Sequence, residues 1–332
     1  MKALCRYVPC LAVYTQFSRV NIVPAFQSFT CWLRDQMRSI MRRILVSLIF
    51  IFLLPVVASA LTVVDESGTT VEIPDRVQRI LPLTPSLAEI LFALGLDQRI
   101  VGVTDFATYP KAARKKPRVG TFINPSLEKI LALEPDLVVV GSERQDEKTN
   151  AALKNFSIPV YRIRPVDLNT IYRSISNLGE ITGAMPQAQK VIIEMKKKVA
   201  AVERRVARLP RKRVFYQVGI DPIVSVNQQT FAADLILRAG GILVTVDNPV
   251  RYPRYSIERV IVDAPEVIII SSMSPNTNYQ RFRASWQRWR SIPAVRQGQI
   301  YVIDSDMVDR PAPRIVDGLA QLSEFIHPSK QR

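Results

Sequence analysis

Few residues in this chain could do chemistry. Glu128 and Glu258 each stand near the start of one of two stretches of matching pattern, SLEKILALEPDLVVV from Ser126 to Val140 and SIERVIVDAPEVIII from Ser256 to Ile270. Paired carboxylates suffice for glycoside hydrolysis when they flank one bond. These two stand at equivalent places in a duplication, where symmetry sets them far apart. The single histidine, His327, lies in a Pro/Lys-rich tail, and the only cysteines are Cys5, Cys10 and Cys31. No Ser/His/Asp triad, histidine metal cluster or cysteine site can be built downstream of them, and no glycine-rich phosphate loop occurs. We therefore expect no catalytic residues and no metal ligands. A cleft between two like lobes points to non-covalent ligand binding.

The elements that must position such a cleft follow from the same duplication. A second pair of matching segments, SLAEILFALG from Ser86 to Gly95 and FAADLILRAG from Phe231 to Gly240, reads as a helix ended by glycine in each half. Leu61 to Ile73 alternates about Ser67-Gly68 and predicts a hairpin. Short apolar strands are expected at 79–83, 100–103, 136–141 and 214–218. Lys111 to Arg118 reads as loop. Asn124 and Pro125 read as the N-cap and first residue of the helix that carries Glu128. Strands alternating with helices give an α/β class with parallel sheets. Pro186 to Leu209 lacks internal proline and glycine and predicts one helix of about 35 Å at 1.5 Å per residue. Its bases read as a solvated face. A final helix is expected over 311–325. The organisation is an N-terminal lobe over 61–185, an interlobe helix over 186–211, a C-terminal lobe over 212–327 and a tail over 328–332.

Residues 41–60, MRRILVSLIFIFLLPVVASA, have the build of a signal peptide. Arg42 and Arg43 form the basic region, 44–57 the apolar region and Ala58-Ser59-Ala60 the cleavage site, with cleavage after Ala60. A signal belongs at the start of a chain, so Met41 or Met37 reads as the translation start and 1–40 as a misassigned extension. All three cysteines are lost with it, which removes disulfides and thiol chemistry and argues against a lipid anchor. The expected compartment is the periplasm. Residues 1–60 hold seven bases and one acid, so +10 of the formal +16 belongs to residues 61–332. In an exported protein that balance favours anionic ligands or simple solubility over nucleic acid.

Four segments carry a family resemblance: the hairpin, Arg79 to Gly95, DFATYP at Asp105–Pro110 and NPSLEKILALEPDLV at Asn124–Val138. They resemble the ABC-transporter solute-binding proteins whose two lobes are joined by a single long helix, which carry cobalamin, ferric siderophores, haem and some metal oxyanions. The resemblance covers nearly all of 61–332. It implies two Rossmann-like α/β lobes with central parallel sheets on a helical backbone, the class III periplasmic binding architecture. RVFYQVGIDP (Arg213–Pro222), YPRYSIERV (Tyr252–Val260) and RPAPRI (Arg310–Ile315) are similar to the second lobe of corrinoid carriers. The implied function is capture of cobalamin or cobinamide in the interlobe cleft and delivery to a permease and ATPase complex in the inner membrane, by a monomer.

By resemblance, Arg310 lies beside the ligand, and Glu128 and Glu258 dock on permease arginines. The aromatic clasp corresponds here to Phe106 or Tyr109, Phe122 and Tyr252, with Met307 beside them. Tyr109, Phe122 and Tyr252 fall at strand-to-helix loops, where open parallel sheets bind ligands. The chain departs from the corrinoid pattern at Gly141-Ser142, where a tryptophan is expected, and at Val218, where an aromatic is usual. Trp286 and Trp289 read as part of a lobe-surface helix. The alternatives are a ferric siderophore or haem, the latter ligated by Tyr109 or Tyr252, and a ligand sensor that does not transport. Lobe closure is expected to be small because the connecting helix is single and stiff.

Overall fold

The structure, a computed structural model, describes residues 36–38, 40–43, 60–141, 147–272 and 279–329. The chain divides into two compact units, 1–57 and 58–332. In the first, 36–38 and 40–43 are helical and exposed. Most of the expected signal segment, from 44 to 59, lies outside the described residues. Among the described residues no helix is long and apolar enough to cross a membrane.

The second unit opens with an antiparallel hairpin, β1 (Ala60–Val64) and β2 (Thr70–Pro74). Its turn closes on Asp65, whose carboxylate accepts the backbone N–H groups of Ser67 and Thr69. A three-stranded parallel sheet follows, β3 (Ile80–Pro82), β4 (Leu137–Val140) and β5 (Val160–Arg162), in the order β3-β4-β5. β4 is buried at all four positions, as a strand covered by helices on both faces must be. The helices of this half are α1 (Pro85–Ala93), α2 (Leu127–Ala132), α3 (Glu147–Asn155) and α4 (Leu168–Ile181). α5 (Met185–Val206) then crosses to the second half.

That half has a four-stranded parallel sheet in the order β11-β10-β6-β9, built from β6 (Lys212–Gln217), β9 (Gly241–Leu243), β10 (Val267–Ser272) and β11 (Ile300–Asp304). A two-residue ribbon pairs β7 (Gly219–Ile220) with β8 (Ile223–Val224). Its helices are α6 (Phe231–Arg238), α7 (Ile257–Asp263), α8 (Tyr279–Trp286), α9 (Pro293–Arg296), α10 (Ser305–Val308) and α11 (Ile315–Ile326).

The duplication repeats down to single contacts. Thr84 caps α1 by accepting from Leu87, and Thr230 caps α6 by accepting from Ala233. After α2, Glu134 takes a left-handed backbone (φ 42°) before Pro135; after α7, Ala264 does the same (φ 40°) before Pro265. The acid that follows ties helix end to strand start in both halves. Asp136 accepts the backbone N–H of Gln78 (2.7 Å) and of Arg79 (3.0 Å), and Glu266 accepts that of Arg213 (3.0 Å). The Arg79 guanidinium in turn caps the carbonyls of Leu133 and Glu134, and that of Arg213 caps Asp263.

Several local expectations need correction. Lys111–Lys115 is a short 3-10 helix within the expected loop, and the final helix starts at Ile315, not Pro311. Residues 100–103 do not form a strand. Val101 bonds once to Ile80, and Val103 then turns away to pair with Arg118, so the counterpart of β9 is reduced to a bridge. The N-cap of α2 is Ser126, not Asn124, because Pro125 is taken up in a bridge to Gly120 and the helix starts only after the extended Ser126. The long helix ends at Val206, with 207–209 in turns. Trp286 does not lie on a surface: it is 2% exposed, packs edge-on against Phe215 and donates its indole N–H to Gln217 (3.0 Å). Its helix buries this ring against β6, and Trp289 packs half-buried on the same cluster.

One apolar cluster runs through both halves. It joins Leu87 and Leu91 of α1 and Ile171 and Ile175 of α4 to Leu235 of α6 and Leu319 and Leu322 of α11, through Met195, Val199 and Val202 of α5. The buried positions of α5, namely 188, 195, 199, 202 and 206, form one helical stripe. Each half has a smaller separate cluster on its outer face.

Candidate ligand site

Two loops from opposite sheets meet beside the carboxyl ends of the parallel strands, the place where open α/β sheets bind ligands. The first is 104–110, between the Ile80–Ile100 bridge and the short helix Lys111–Lys115. Arg118 holds it in shape: its guanidinium donates to the carbonyls of Thr104 (2.6 Å), Ala107 (3.1 Å) and Ala113 (3.4 Å). Held this way, the loop leaves Phe106 47% and Tyr109 44% exposed. Large rings out in water cost hydrophobic free energy, which marks them as candidates for contact with something else.

The second loop is 309–314, between α10 and α11. Arg310 pairs with Asp306 (2.6 Å) and reaches across to the carbonyl of Phe106 (3.3 Å). Burial lowers the pKa of its guanidinium, with Asp306 and Glu89 opposing. Arg314 crosses as well. Its Nε and NH2 donate to the two oxygens of Glu89 at 3.0 and 2.8 Å, a bidentate pair with Glu89 only 3% exposed. Burial pulls the Arg314 pKa down, and the bonds and charge of Glu89 outweigh it for a net rise. The same guanidinium lies 3.7 Å from the centre of the Tyr109 ring, a cation–π contact, and 3.8 Å from the Met307 sulfur.

The structure thus brings together Phe106, Tyr109, Met307 and Arg310. Phe122 is half-buried after the tight turn at Gly120 (φ 99°). Tyr252 is half-buried against the shared core, with the Arg251 guanidinium 5.7 Å from its ring centre. Tyr252 also adds to the upward push on the pKa of Tyr216, which burial dominates. The Tyr216 hydroxyl donates to Asp309 (2.8 Å), and Ser271 donates to its other oxygen. Burial raises the Asp309 carboxyl to about 6, those two bonds lower it, and Asp306 and Asp304 raise it.

Four residues escaped the sequence reading: Glu89, Asp306, Asp309 and Arg314. Arg314 stands in the same RPAPRI motif as Arg310. Glu89 aligns with Asp234 in the second repeated helix, so a signal for it was present. His327 is buried, with Nε2 3.2 Å from the Gly240 carbonyl, and its pKa is lowered first by burial. It packs against Gly240 inside the second half. Among the described residues no group of three His, Cys, Asp or Glu could hold a metal.

Glu128 and Glu258 occupy the same turn of equivalent helices. Each lies two residues after the serine cap, Ser126 or Ser256, which accepts from Lys129 or Arg259 at 3.3 Å. Both are exposed. The pKa of Glu258 is lowered by its own backbone N–H and then by the Ser256 hydroxyl.

The periplasmic binding protein family matches residues 80–307, more than half of the chain. The chain belongs to this family. The vitamin B12-binding protein of Vibrio parahaemolyticus is 28% identical over 280 residues, covering 84% of this chain and 97% of that one. An uncharacterized ABC transporter substrate-binding lipoprotein of Bacillus subtilis is 29% identical over 276 residues, covering 80% and 85%. In fold, the crystal structure of the periplasmic vitamin B12-binding protein of Vibrio cholerae superposes with a TM-score of 0.69 at 26% identity, covering 78% of this chain and all of that one. This periplasmic binding protein is therefore of the ABC-transporter substrate-binding class, with the two-lobed, helix-joined architecture.

Proposed function

We propose that this protein captures a corrinoid, cobalamin or cobinamide, between an N-terminal lobe over 61–185 and a C-terminal lobe over 212–327, and delivers it to an ABC permease. It works in the periplasm after cleavage behind Ala60, as a monomer, and carries out no chemistry on its cargo. The observation that carries the reading is the meeting of loops 104–110 and 309–314, which sets exposed rings of one sheet against guanidinium groups of the other. Flat apolar faces suit a macrocycle, and the arginines suit amide and phosphate oxygens at its rim. In this reading Phe106, Tyr109, Phe122, Tyr252 and Met307 pack on the ring system and Arg310 contacts its polar edge.

Glu128 and Glu258 dock the permease. Their matched exposure on equivalent helices suits a partner built of two like subunits, because a pseudo-twofold surface complements a twofold one. A second reading follows from Arg310 and Arg314 together. Two guanidinium groups at the cleft, on a chain with net positive charge, also suit an anionic ferric siderophore or haem.

Calorimetric titration of the protein with cyanocobalamin, cobinamide, haem and a ferric siderophore decides among these. The proposal expects one-to-one binding of a corrinoid at micromolar concentration or tighter. Heat from haem or the siderophore alone would replace it with the second reading.

A further inference from the structure

Besides Glu128 and Glu258 and the strand-tying Asp136 and Glu266, the duplication repeats a further acid: Glu89 is the fourth residue of SLAEILFALG and Asp234 the fourth of FAADLILRAG. Both carboxylates reach out of their own lobe. Glu89 Oε1 accepts the backbone N–H of Arg314 (3.2 Å), the residue that opens α11. Asp234 Oδ2 accepts the backbone N–H of Leu168 (2.9 Å), the first residue of α4. The helices α4 and α11 are counterparts, since each packs its own half onto α5. So α1 of the first half caps α11 of the second, and α6 of the second caps α4 of the first. The contact is isologous, as in a twofold dimer. An acid at the start of a helix also meets the positive end of its dipole. Each acid carries its own arginine: Arg314 grips Glu89 bidentately, and Arg238 holds Asp234 at 2.9 Å. Neither pair is a surface ornament: the side chains of Glu89 and Asp234 are 3% and 18% exposed.

We propose that Glu89 and Asp234 are positioning residues for ligand capture, a pseudo-twofold pair of interlobe clamps that fixes the separation of the lobes. The Glu89 clamp does a second job. It anchors the guanidinium that stacks on Tyr109, so it sets the angle at which that ring faces the cleft. Only this second job rests on the cleft being the ligand site.

The test uses the full chain with Cys5→Ser, Cys10→Ser and Cys31→Ser, spin-labelled at Ala132→Cys on α2 and Val262→Cys on α7, both exposed. Pulsed electron–electron resonance without ligand should give one narrow distance distribution. Glu89→Gln and Asp234→Asn should each broaden it, and the double variant should broaden it further. Should a single change prevent folding, Glu89→Leu with Arg314→Met replaces the ion pair by apolar groups of similar volume and should broaden the distribution too. A lower melting temperature with an unchanged distribution would reduce the acids to ordinary stability and overturn the proposal. In a second arm, Glu89→Gln should speed cyanocobalamin dissociation on the order of tenfold with the association rate unchanged, since such changes fall mainly on the off-rate. If the unmodified protein binds no cyanocobalamin, the corrinoid reading fails, and the distance measurement still decides the clamps.

Discussion

Asp309 shows how much a single side chain near the cleft can control. Its carboxyl is buried between Tyr216 on β6 and Ser271 on β10, with Asp304 and Asp306 nearby, and burial raises its pKa from 3.8 to about 6. Between those values the folded chain holds a proton that the unfolded chain has lost, so stability falls as pH rises through that window. A displacement of about two units corresponds to on the order of 3 kcal/mol. Asp309→Asn should abolish that slope: urea melts of native protein and variant should diverge between pH 4 and 7, the native protein losing ground as pH rises. Parallel profiles would mean the carboxyl does not titrate in this window. At this scale the sequence was only partly legible. That Phe106, Tyr109 and Arg310 lie close together was legible, because the motifs around them are distinctive. Asp309 was not legible, because its role depends on β6 and β10 closing over it, and nothing local to 309 encodes that.

Elements were more legible than residues, and the failures have local causes. The alternation of apolar runs located β3, β4 and β6 but left β9 and β11 unassigned. It also over-assigned 100–103, where the apolar pattern fits a strand but Val103 is drawn into pairing with Arg118. The expected surface helix is there, over Tyr279–Trp286, but Trp286 turns its ring inward; a tryptophan in a polar, Arg-rich segment gives no periodic sign of which way the ring points. Element packing also bears on the site. A Cβ built on Gly318 of α11 would lie 2.3 Å from the Met307 carbonyl oxygen of α10. Gly318→Ala must therefore push α10 away, and with it Met307 and the loop that carries Arg310. Overpacking of this kind costs about 1–3 kcal/mol. We expect Gly318→Ala to lower the melting temperature and weaken ligand binding together; full affinity at a reduced melting temperature would separate α10 from the site.

For the molecule as a whole, the duplication was the most legible feature. It set the class, two like lobes and a cleft, before any contact was known. It could not reveal how the lobes are held, since Glu89 and Asp234 look like ordinary helix acids until their partners in the other half are seen. A core shared through α5 and clamped at two places fits small lobe motion, so release should depend on the permease prying the lobes apart. Charge reversal at both proposed docking positions, Glu128→Lys with Glu258→Lys, should abolish corrinoid uptake in cells and leave ligand affinity unchanged. Undiminished uptake would favour a sensor over a carrier.

The central claim is that a corrinoid sits between loops from the two lobes, and hydrogen–deuterium exchange of the full chain with and without cyanocobalamin tests it most directly. The account predicts protection concentrated in 104–110, 121–125, 251–255 and 306–314, from both lobes at once. Protection confined to one lobe, or centred on the separate groove of about 420 Å³ lined by Val206, Leu209, Arg211 and Leu237, would contradict it.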